Sequence, residues 1–176
     1  DAVSPACLPR RNMVVHQDIR DVWDILKTVE DPEIPVISVF DLGIVRDVRM
    51  DSDLCIVEIT PTYSGCPATK VIEDSIRQAL ISAGIEDFRI ETTLSPPWST
   101  AMLSNDGREK LREYGIAPPE DEETDKLALM GEDRQVSCPQ CGSKDTKMVS
   151  QFGSTPCKAH FQCKECLEPF DYFKCL

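Results

Sequence analysis

The sequence predicts an α+β protein with two modules joined by a linker. Two segments carry apolar side chains at helical spacing, and three short runs beside them have the composition of strands. Further along, two Cys-x-x-Cys motifs stand 21 residues apart. We therefore expect a helix, strand, strand, helix, strand domain over residues 17–98, a short helix and acidic linker over 99–135, and a cysteine-rich module over 136–176.

The first helix is expected over residues 17–30, where apolar side chains recur at helical spacing and the opposite face is polar. The sequence DPEIP at 31–35 ends this helix, because its two prolines cannot continue one. An extended stretch, VISVF at 36–40, and a DLG turn at 41–43 are expected to follow.

Residues 44–50 and 54–60 are expected to be strands, and the short turn DSD between them predicts a hairpin. The second helix is expected from Pro67 to about Ala83, with Gly84 ending it. Residues 88–94 are the third strand. The crossover through the second helix should be right-handed and should make the second and third strands parallel, so the sheet is three-stranded and mixed.

Beyond the third strand, a short helix is expected from Asp106 to Tyr114, ended by Gly115. The segment GIAPPEDEETDK at 115–126 is rich in proline and acid, a composition typical of a solvated linker.

The composition of the chain limits the kinds of molecule that it is expected to bind. The 176 residues carry a net charge of −12, so the chain repels nucleic-acid backbones and anionic membrane surfaces, and neither partner is expected. No apolar run approaches the roughly 18 residues of a membrane span. The first residues have no signal-peptide layout, so we expect the cytoplasm, where paired cysteines are metal ligands more often than disulfides.

The two Cys-x-x-Cys motifs each bring two sulfurs to one side of a tight turn, and two such turns complete a tetrahedral site. The segment between them is expected to form a long hairpin, with KMVSQFG as one strand and KAHFQC as the other. We expect a zinc-ribbon module whose structural Zn²⁺ supplies much of its folding energy. Rubredoxin-like iron and two redox disulfides are the alternatives. The four ligands would be Cys138, Cys141, Cys163 and Cys166.

The remaining residues of this region have less distinctive patterns. Cys157 could substitute as a ligand; the alternative is that Cys157 and Cys175 are small buried residues or exposed thiols. His160 alternates with aromatic neighbours on an expected strand and is interpreted as a packing or surface residue. Cys55 lies inside an apolar strand and is expected in the core.

Cys66 stands between a glycine and Pro67, directly before the second helix. Proline is favoured at the first helical position, which would place Cys66 at the N-cap. A thiolate there would face unpaired N–H groups and the positive end of the helix dipole. Cys66 is therefore either a nucleophilic or metal-binding thiolate, or a half-buried cysteine chosen for its size. The chain has two histidines, neither of them near Cys66, so iron or cluster handling fits better than Cys–His catalysis.

Long segments also resemble known families. DPEIPVISVFDLGIV at 31–45 and TPTYSGCPATKVIEDSI at 60–76 resemble the iron–sulfur assembly domain shared by SufT-like proteins and cytosolic iron–sulfur targeting factors. The C-terminal segment SQFGSTPCKAHFQCKECLEPFDYFKCL at 150–176, with LREYGIAPP at 111–119, resembles the PaaD-like family of phenylacetate-degradation proteins. The resemblance covers nearly the whole chain from about residue 18 onward.

The resemblance implies an accessory role beside a multicomponent phenylacetyl-CoA epoxidase, which has a di-iron oxygenase and a reductase with flavin and a [2Fe–2S] centre. The implied function is to assist maturation of an iron or iron–sulfur centre in these components, without an active site of its own. The oxygenase and reductase are the implied partners, with general iron–sulfur assembly proteins and a second copy of the chain as further ones. The alternative is a non-catalytic structural subunit. The sequence has no Glu-x-x-His pair on a helix, no nucleotide fingerprint and no plant-type ferredoxin spacing.

Transferred position by position, the shared motif implies that Cys66 is the working thiol, which transiently holds iron or an iron–sulfur cluster. Asp41, Thr60 and Thr62 would be the polar residues around it. In the segment FGSTPCKA at 152–159, Lys158 or Cys157 would serve partner recognition.

Overall fold

The computed structural model describes residues 18–63, 65–119 and 136–174. None of the helices in these three ranges has the length and apolar character needed to cross a bilayer. The elements in chain order are α1 (Ile19–Leu26), β1 (Val45–Asp51), β2 (Leu54–Ile59), α2 (Thr69–Ser82), β3 (Phe88–Thr92), a 3₁₀ turn (Thr100–Met102), α3 (Asn105–Glu113), β4 (Ile116–Ala117), β5 (Thr146–Ser150), β6 (Lys158–Cys163) and β7 (Pro169–Phe173).

The first sheet has the order β1-β2-β3. β1 and β2 form the expected antiparallel hairpin, and β3 lies parallel to β2 after the crossover through α2. The prediction of a three-stranded mixed sheet is therefore confirmed. Both α1 and α2 are amphipathic, and their apolar faces close the core with the sheet. Gly84 follows the last residues of α2 with a φ of +82°, the left-handed conformation in which glycine ends helices.

The region between α1 and β1 differs from the expectation. α1 ends at Leu26 instead of residue 30, and Thr28 donates its hydroxyl to the carbonyl of Ile25. The stretch 36–40 consists of successive turns, so the expected extended conformation is wrong. Backbone hydrogen bonds form these turns, and just before them the Asp31 carboxylate accepts hydrogen bonds from the N–H groups of Glu33 (2.8 Å) and Ile34 (2.9 Å).

The second sheet has the order β4-β7-β6-β5. Its β5–β6 hairpin matches the two strands expected between the cysteine pairs, whereas β7 is an additional strand. The linker prediction is wrong for residues 116–119, which are buried, and Ile116 and Ala117 pair with β7. Pro118 and Pro119 directly follow β4 and limit it to two residues, because proline has no N–H group to donate to a neighbouring strand. The acidic remainder of the predicted linker lies outside the described residues.

The two modules share a packed interior. Phe173 of β7 is buried in the same apolar cluster as α1, α2 and the first sheet. The Phe173 ring meets the Trp98 ring edge to face at a centroid distance of 6.0 Å. The Trp98 indole N–H in turn donates to the carbonyl of Leu42 at 2.8 Å. These contacts hold the cysteine module, residues 136–174, against the first domain.

Candidate functional site

The four cysteines of the Cys-x-x-Cys motifs converge in the structure. Their sulfur atoms all lie within 4.8 Å of one another. Cys138 and Cys166 are 3.7 Å apart, and Cys141 and Cys163 are 3.6 Å apart. Four thiolates around a tetrahedral metal with bonds of about 2.3 Å are separated by about 3.8 Å. The donor set therefore fits a metal ion of the size and softness of zinc or iron.

Backbone N–H groups hydrogen-bond within both turns of this cluster. The N–H groups of Cys166 and Glu165 hydrogen-bond to the sulfur of Cys163 and lower the pKa of Cys163 to about 7. Gly142 has a φ of +74° and donates its N–H to the carbonyl of Cys138, which closes the first turn. A Cys₄ set fills the tetrahedron and leaves no position for water or substrate, so the expected role is structural.

A second candidate site lies where the two modules meet, and we call it the interface cleft. Its free space is about 20 Å³, which accommodates a water molecule or a single metal ion. Aliphatic residues of the first domain and Phe173 form its apolar walls. The polar residues that line it are Asp31, Glu33, Thr62, Cys66, Thr69 and Cys157.

Cys66 lines the interface cleft and is half-buried. It does not occupy the N-cap, so that prediction is wrong. α2 begins at Thr69 with Ala68 as its N-cap, and the N–H of Thr69 donates to the carbonyl of Cys66 at 3.3 Å. Pro67 and Ala68 therefore form a turn ahead of the helix, and Cys66 stands two residues before the cap.

The pKa of Tyr63 responds to three of the residues that line the cleft. Partial burial raises the pKa of Tyr63, and the neighbouring Cys66, Cys157 and Glu33 raise it further.

Cys157 comes from the cysteine module and is 7% exposed. Its sulfur lies 3.1 Å from Oγ1 of Thr155 and donates to Oε2 of Glu33 at 3.6 Å. Burial, reinforced by Glu33, raises the pKa of Cys157 to about 11. Cys157 is therefore a buried thiol that keeps its proton at neutral pH, and it is not one of the four clustered ligands. Cys175 lies outside the described residues.

One of the three polar residues expected around Cys66 lines the same cleft, and the other two lie elsewhere. Thr62 lines the cleft with Cys66, whereas Thr60 and Asp41 do not. Thr60 is 1% exposed, and its hydroxyl has no hydrogen-bond partner within the part of the chain that the structure describes. The carboxylate of Asp41 instead ties the DLG turn to α3. It accepts hydrogen bonds from Ser38 at 2.9 Å, Ser104 at 3.0 Å and Lys110 at 2.6 Å.

Two cleft residues are not apparent from sequence reasoning. Asp31 and Glu33 belong to DPEIP, a segment whose pattern indicates only the end of a helix. Asp31 is 7% exposed, and burial raises the pKa of its carboxyl group. The two carboxylates on either side of Pro32 are the available signal. The sequence does not show that Cys157 lies opposite them.

Two models of known protein families match separate parts of the chain. The model of an iron–sulfur cluster assembly protein family matches residues 19–91, and the model of the PaaD zinc beta ribbon domain matches residues 122–174.

The predicted His160 surface or packing role is consistent with its place on β6, where its ring lies 3.3 Å from Asp171. Cys55, as expected, is fully buried in the core.

Similar proteins cover either the first domain or the whole chain. A "Fe-S protein maturation auxiliary factor" of Porphyromonas gingivalis is 35% identical over 97 residues, 54% of this chain and 91% of that protein. A crystal structure of DUF59, a domain of unknown function from Bacillus anthracis, has a TM-score of 0.49 and 25% identity, and covers 52% of this chain and 89% of that chain.

One relative matches nearly end to end. It is a putative component of the 1,2-phenylacetyl-CoA epoxidase of Escherichia coli (strain K12), and it is 40% identical over 169 residues, which are 96% of this chain and 100% of that protein. Because this match runs through both the assembly domain and the zinc ribbon, the chain belongs to the PaaD family.

Proposed function

We propose that this chain is an accessory protein of a multicomponent phenylacetyl-CoA epoxidase, and that it holds iron at Cys66 for delivery to the oxygenase or the reductase. The observation that carries the proposal is the position of Cys66, a half-buried thiol in a cleft with the carboxylates of Asp31 and Glu33. The names of the Escherichia coli and Porphyromonas gingivalis relatives support the two parts of the proposal, the epoxidase and the maturation role.

The chemistry of the cleft suits iron as a cargo. Thiolates and carboxylate oxygens can together bind ferrous iron, and binding to them does not change the oxidation state of the iron. The free space of about 20 Å³ favours a single ion over a cluster while the cleft has this shape. A carrier must also release its cargo, and a partly open cleft allows release where a closed Cys₄ tetrahedron does not.

The Cys₄ cluster has a different proposed role. We assign it one structural Zn²⁺, because its four sulfurs are gathered at tetrahedral spacing in a module of about 40 residues, which is too small to be stable on its apolar core alone. The metal would keep the ribbon folded and thereby keep Cys157 and Phe173 in the wall of the interface cleft.

A structural subunit of the epoxidase complex is the second candidate. It is favoured by β5, an edge strand of the second sheet with the exposed apolar side chains of Met148 and Val149, and by Phe152, which follows it and is also exposed. An unpaired strand edge can accept a strand from another protein. Co-purification with the oxygenase at a fixed stoichiometry would favour this candidate.

The delivery role is tested in cells that produce the epoxidase components together with the wild-type chain, Cys66→Ser or Cys55→Ala. Cys55→Ala is the matched control, because it removes a buried thiol of β2 that does not line the cleft. We expect Cys66→Ser to lower the iron content per oxygenase and reductase, and Cys55→Ala to leave it unchanged. Normal iron content with Cys66→Ser would overturn the delivery role and leave the structural subunit as the better description.

A further inference from the structure

We infer that Cys157 is the second sulfur ligand of the iron handled at Cys66, and that Glu33 is the carboxylate ligand. The inference rests on the function proposed above and specifies the site. It makes the zinc ribbon a contributor to the metal-handling site of the assembly domain, in addition to its structural role.

Cys157 lies at the contact between the two modules. The residue precedes β6 in the ribbon, yet it belongs to the buried cluster of the assembly domain and lines the interface cleft beside Cys66. Its sulfur contacts two polar groups, Thr155 Oγ1 at 3.1 Å and Glu33 Oε2 at 3.6 Å. A cysteine that served packing alone would need only apolar neighbours, because a thiol behaves as a small apolar group.

The three proposed ligands also line the same small space, although they come from both modules. Cys66 belongs to the assembly domain, Glu33 to the loop after α1 and Cys157 to the ribbon, and each of them faces this cleft. The free space beside these groups accommodates a single ion. Once the two cysteines had lost their protons, they and Glu33 would carry three negative charges, which a divalent cation would offset in this largely apolar setting.

Binding would be a ligand exchange without a redox step. Two S–H bonds, one on each cysteine, break and their protons pass to solvent, while two Fe–S bonds form and the iron remains Fe²⁺. The Glu33 carboxylate, now released from its hydrogen bond with the Cys157 thiol, supplies an oxygen to the same ion. Three protein ligands leave at least one position for water or for a group of the receiving protein.

The cleft ligands are less preorganised than those of the ribbon. Among the described residues, Cys138, Cys141, Cys163 and Cys166 are the one set of three or more metal-binding side chains whose donor atoms already lie within 4.8 Å of one another. The cleft ligands must therefore close around the ion, and closure reduces the affinity. An affinity lower than that of the Cys₄ cluster is the property that a carrier requires.

The test is an oxygen-free titration of the full-length, zinc-loaded protein with Co²⁺, whose absorption reports bound thiolates. Co²⁺ binds such sites more weakly than Zn²⁺, so it leaves the zinc in the ribbon. We expect the wild type to bind one Co²⁺ with an absorption intensity of two thiolates. Cys66→Ser and Cys157→Ser should each halve that intensity and raise Kd at least about tenfold. Glu33→Gln should raise Kd and leave the intensity unchanged, and Cys55→Ala should match the wild type.

The outcomes separate this inference from the proposed function. If Cys157→Ser binds Co²⁺ with wild-type Kd and intensity while Cys66→Ser does not, Cys157 is no ligand and Cys66 remains the carrier thiol. If both variants bind as the wild type does, the inference fails and the carrier role of Cys66 loses its basis. A measurement on the wild type avoids any folding defect of the variants. Co²⁺ should protect Cys66 and Cys157 together from alkylation, and protection of Cys66 alone would overturn the inference.

Discussion

The sulfur of Cys157 lies 3.6 Å from Oε2 of Glu33, although 124 positions separate the two residues in the chain. This contact joins the zinc ribbon to the loop that follows α1. The wall of the interface cleft that holds Cys157 and Phe173 exists only while the ribbon is docked. Folding of the ribbon, docking of the ribbon and the proposed metal handling should therefore depend on one another.

Phe173→Ala should weaken the docking. The side chain is 2% exposed and packs edge to face on Trp98, so its removal leaves a cavity that should cost about 3–5 kcal/mol of unfolding free energy. Denaturant unfolding measures this loss, and faster alkylation of Cys157 in the folded variant should accompany it. The control is Phe152→Ala, because Phe152 is 56% exposed and its loss should cost less than about 1 kcal/mol. Equal losses for the two variants would contradict the docking interface.

Removal of the ribbon metal should unfold the ribbon and open the cleft. Metal analysis should find one zinc per chain, and a strong chelator should release it with loss of the β5–β6 hairpin signals in NMR spectra. Cys138→Ser should have the same effect, since Cys138 is one of the four clustered thiols. Cys55→Ala should keep the zinc. A chelated protein that retains the hairpin, or a Cys138→Ser variant that retains full zinc, would refute the structural assignment.

Asp41→Asn should destabilise the protein at neutral pH and much less in acid. Burial alone would raise the pKa of Asp41, but hydrogen bonds from Lys110, Ser38 and Ser104 outweigh burial and hold it below its ordinary value. A carboxyl group with a lowered pKa in the folded state stabilises the fold above the unfolded value of about 3.9, and this contribution is lost as the pH falls through the folded value. We expect a loss of about 1–3 kcal/mol at pH 7.

Thermal unfolding of wild type and Asp41→Asn from pH 7 to pH 3 measures this effect, and the difference should shrink at the acid end. Asp47→Asn is the control, because that carboxylate is 55% exposed and lies 3.7 Å from Arg49. A difference for Asp41→Asn that stays constant over the whole pH range would show that the hydrogen-bonded charge is not its cause.

Gly43→Ala should destabilise the DLG turn more than Gly84→Ala destabilises the end of α2. Both glycines have positive φ, +67° and +82°, so both substitutions carry the conformational cost of about 1–2 kcal/mol. A methyl group on Gly43 would also meet the carbonyl oxygen of Met102 at 2.3 Å, whereas on Gly84 it would meet nothing within 4 Å. Denaturant unfolding of the two variants should give clearly unequal losses. Equal losses of unfolding free energy would show that Met102 moves aside to accommodate the added methyl group.

Local patterns in the sequence predict the elements that local interactions form. The hairpin of β1 and β2 follows from two apolar runs around a short turn, and α2 follows from a repeat of buried residues at Ile72, Ile76 and Leu80. The predicted start of α2 is two residues too early, because proline preference at the first helical position is a tendency and the turn at Pro67 and Ala68 overrides it.

Features formed over long distances have no comparable signal. The β-branched residues of 36–40 favour a strand, but backbone hydrogen bonds such as that from the N–H of Ile37 to the carbonyl of Ile34 fold this segment into turns. β4 consists of two residues and is recognisable only through its pairing with β7. Cys66 and the four ribbon cysteines can be selected as candidates from sequence alone, whereas the contact of Cys157 with Glu33 depends on how the ribbon docks.

The central claim is that Cys66 carries iron to an epoxidase component. It is tested most directly by loading the zinc-bound chain with one ⁵⁷Fe²⁺ without oxygen and mixing it with iron-free oxygenase or reductase in the presence of a chelator that captures free iron. We predict that ⁵⁷Fe appears in the receiving component with the wild type and with Cys55→Ala, but not with Cys66→Ser. Equal transfer by Cys66→Ser and the wild type would contradict the account.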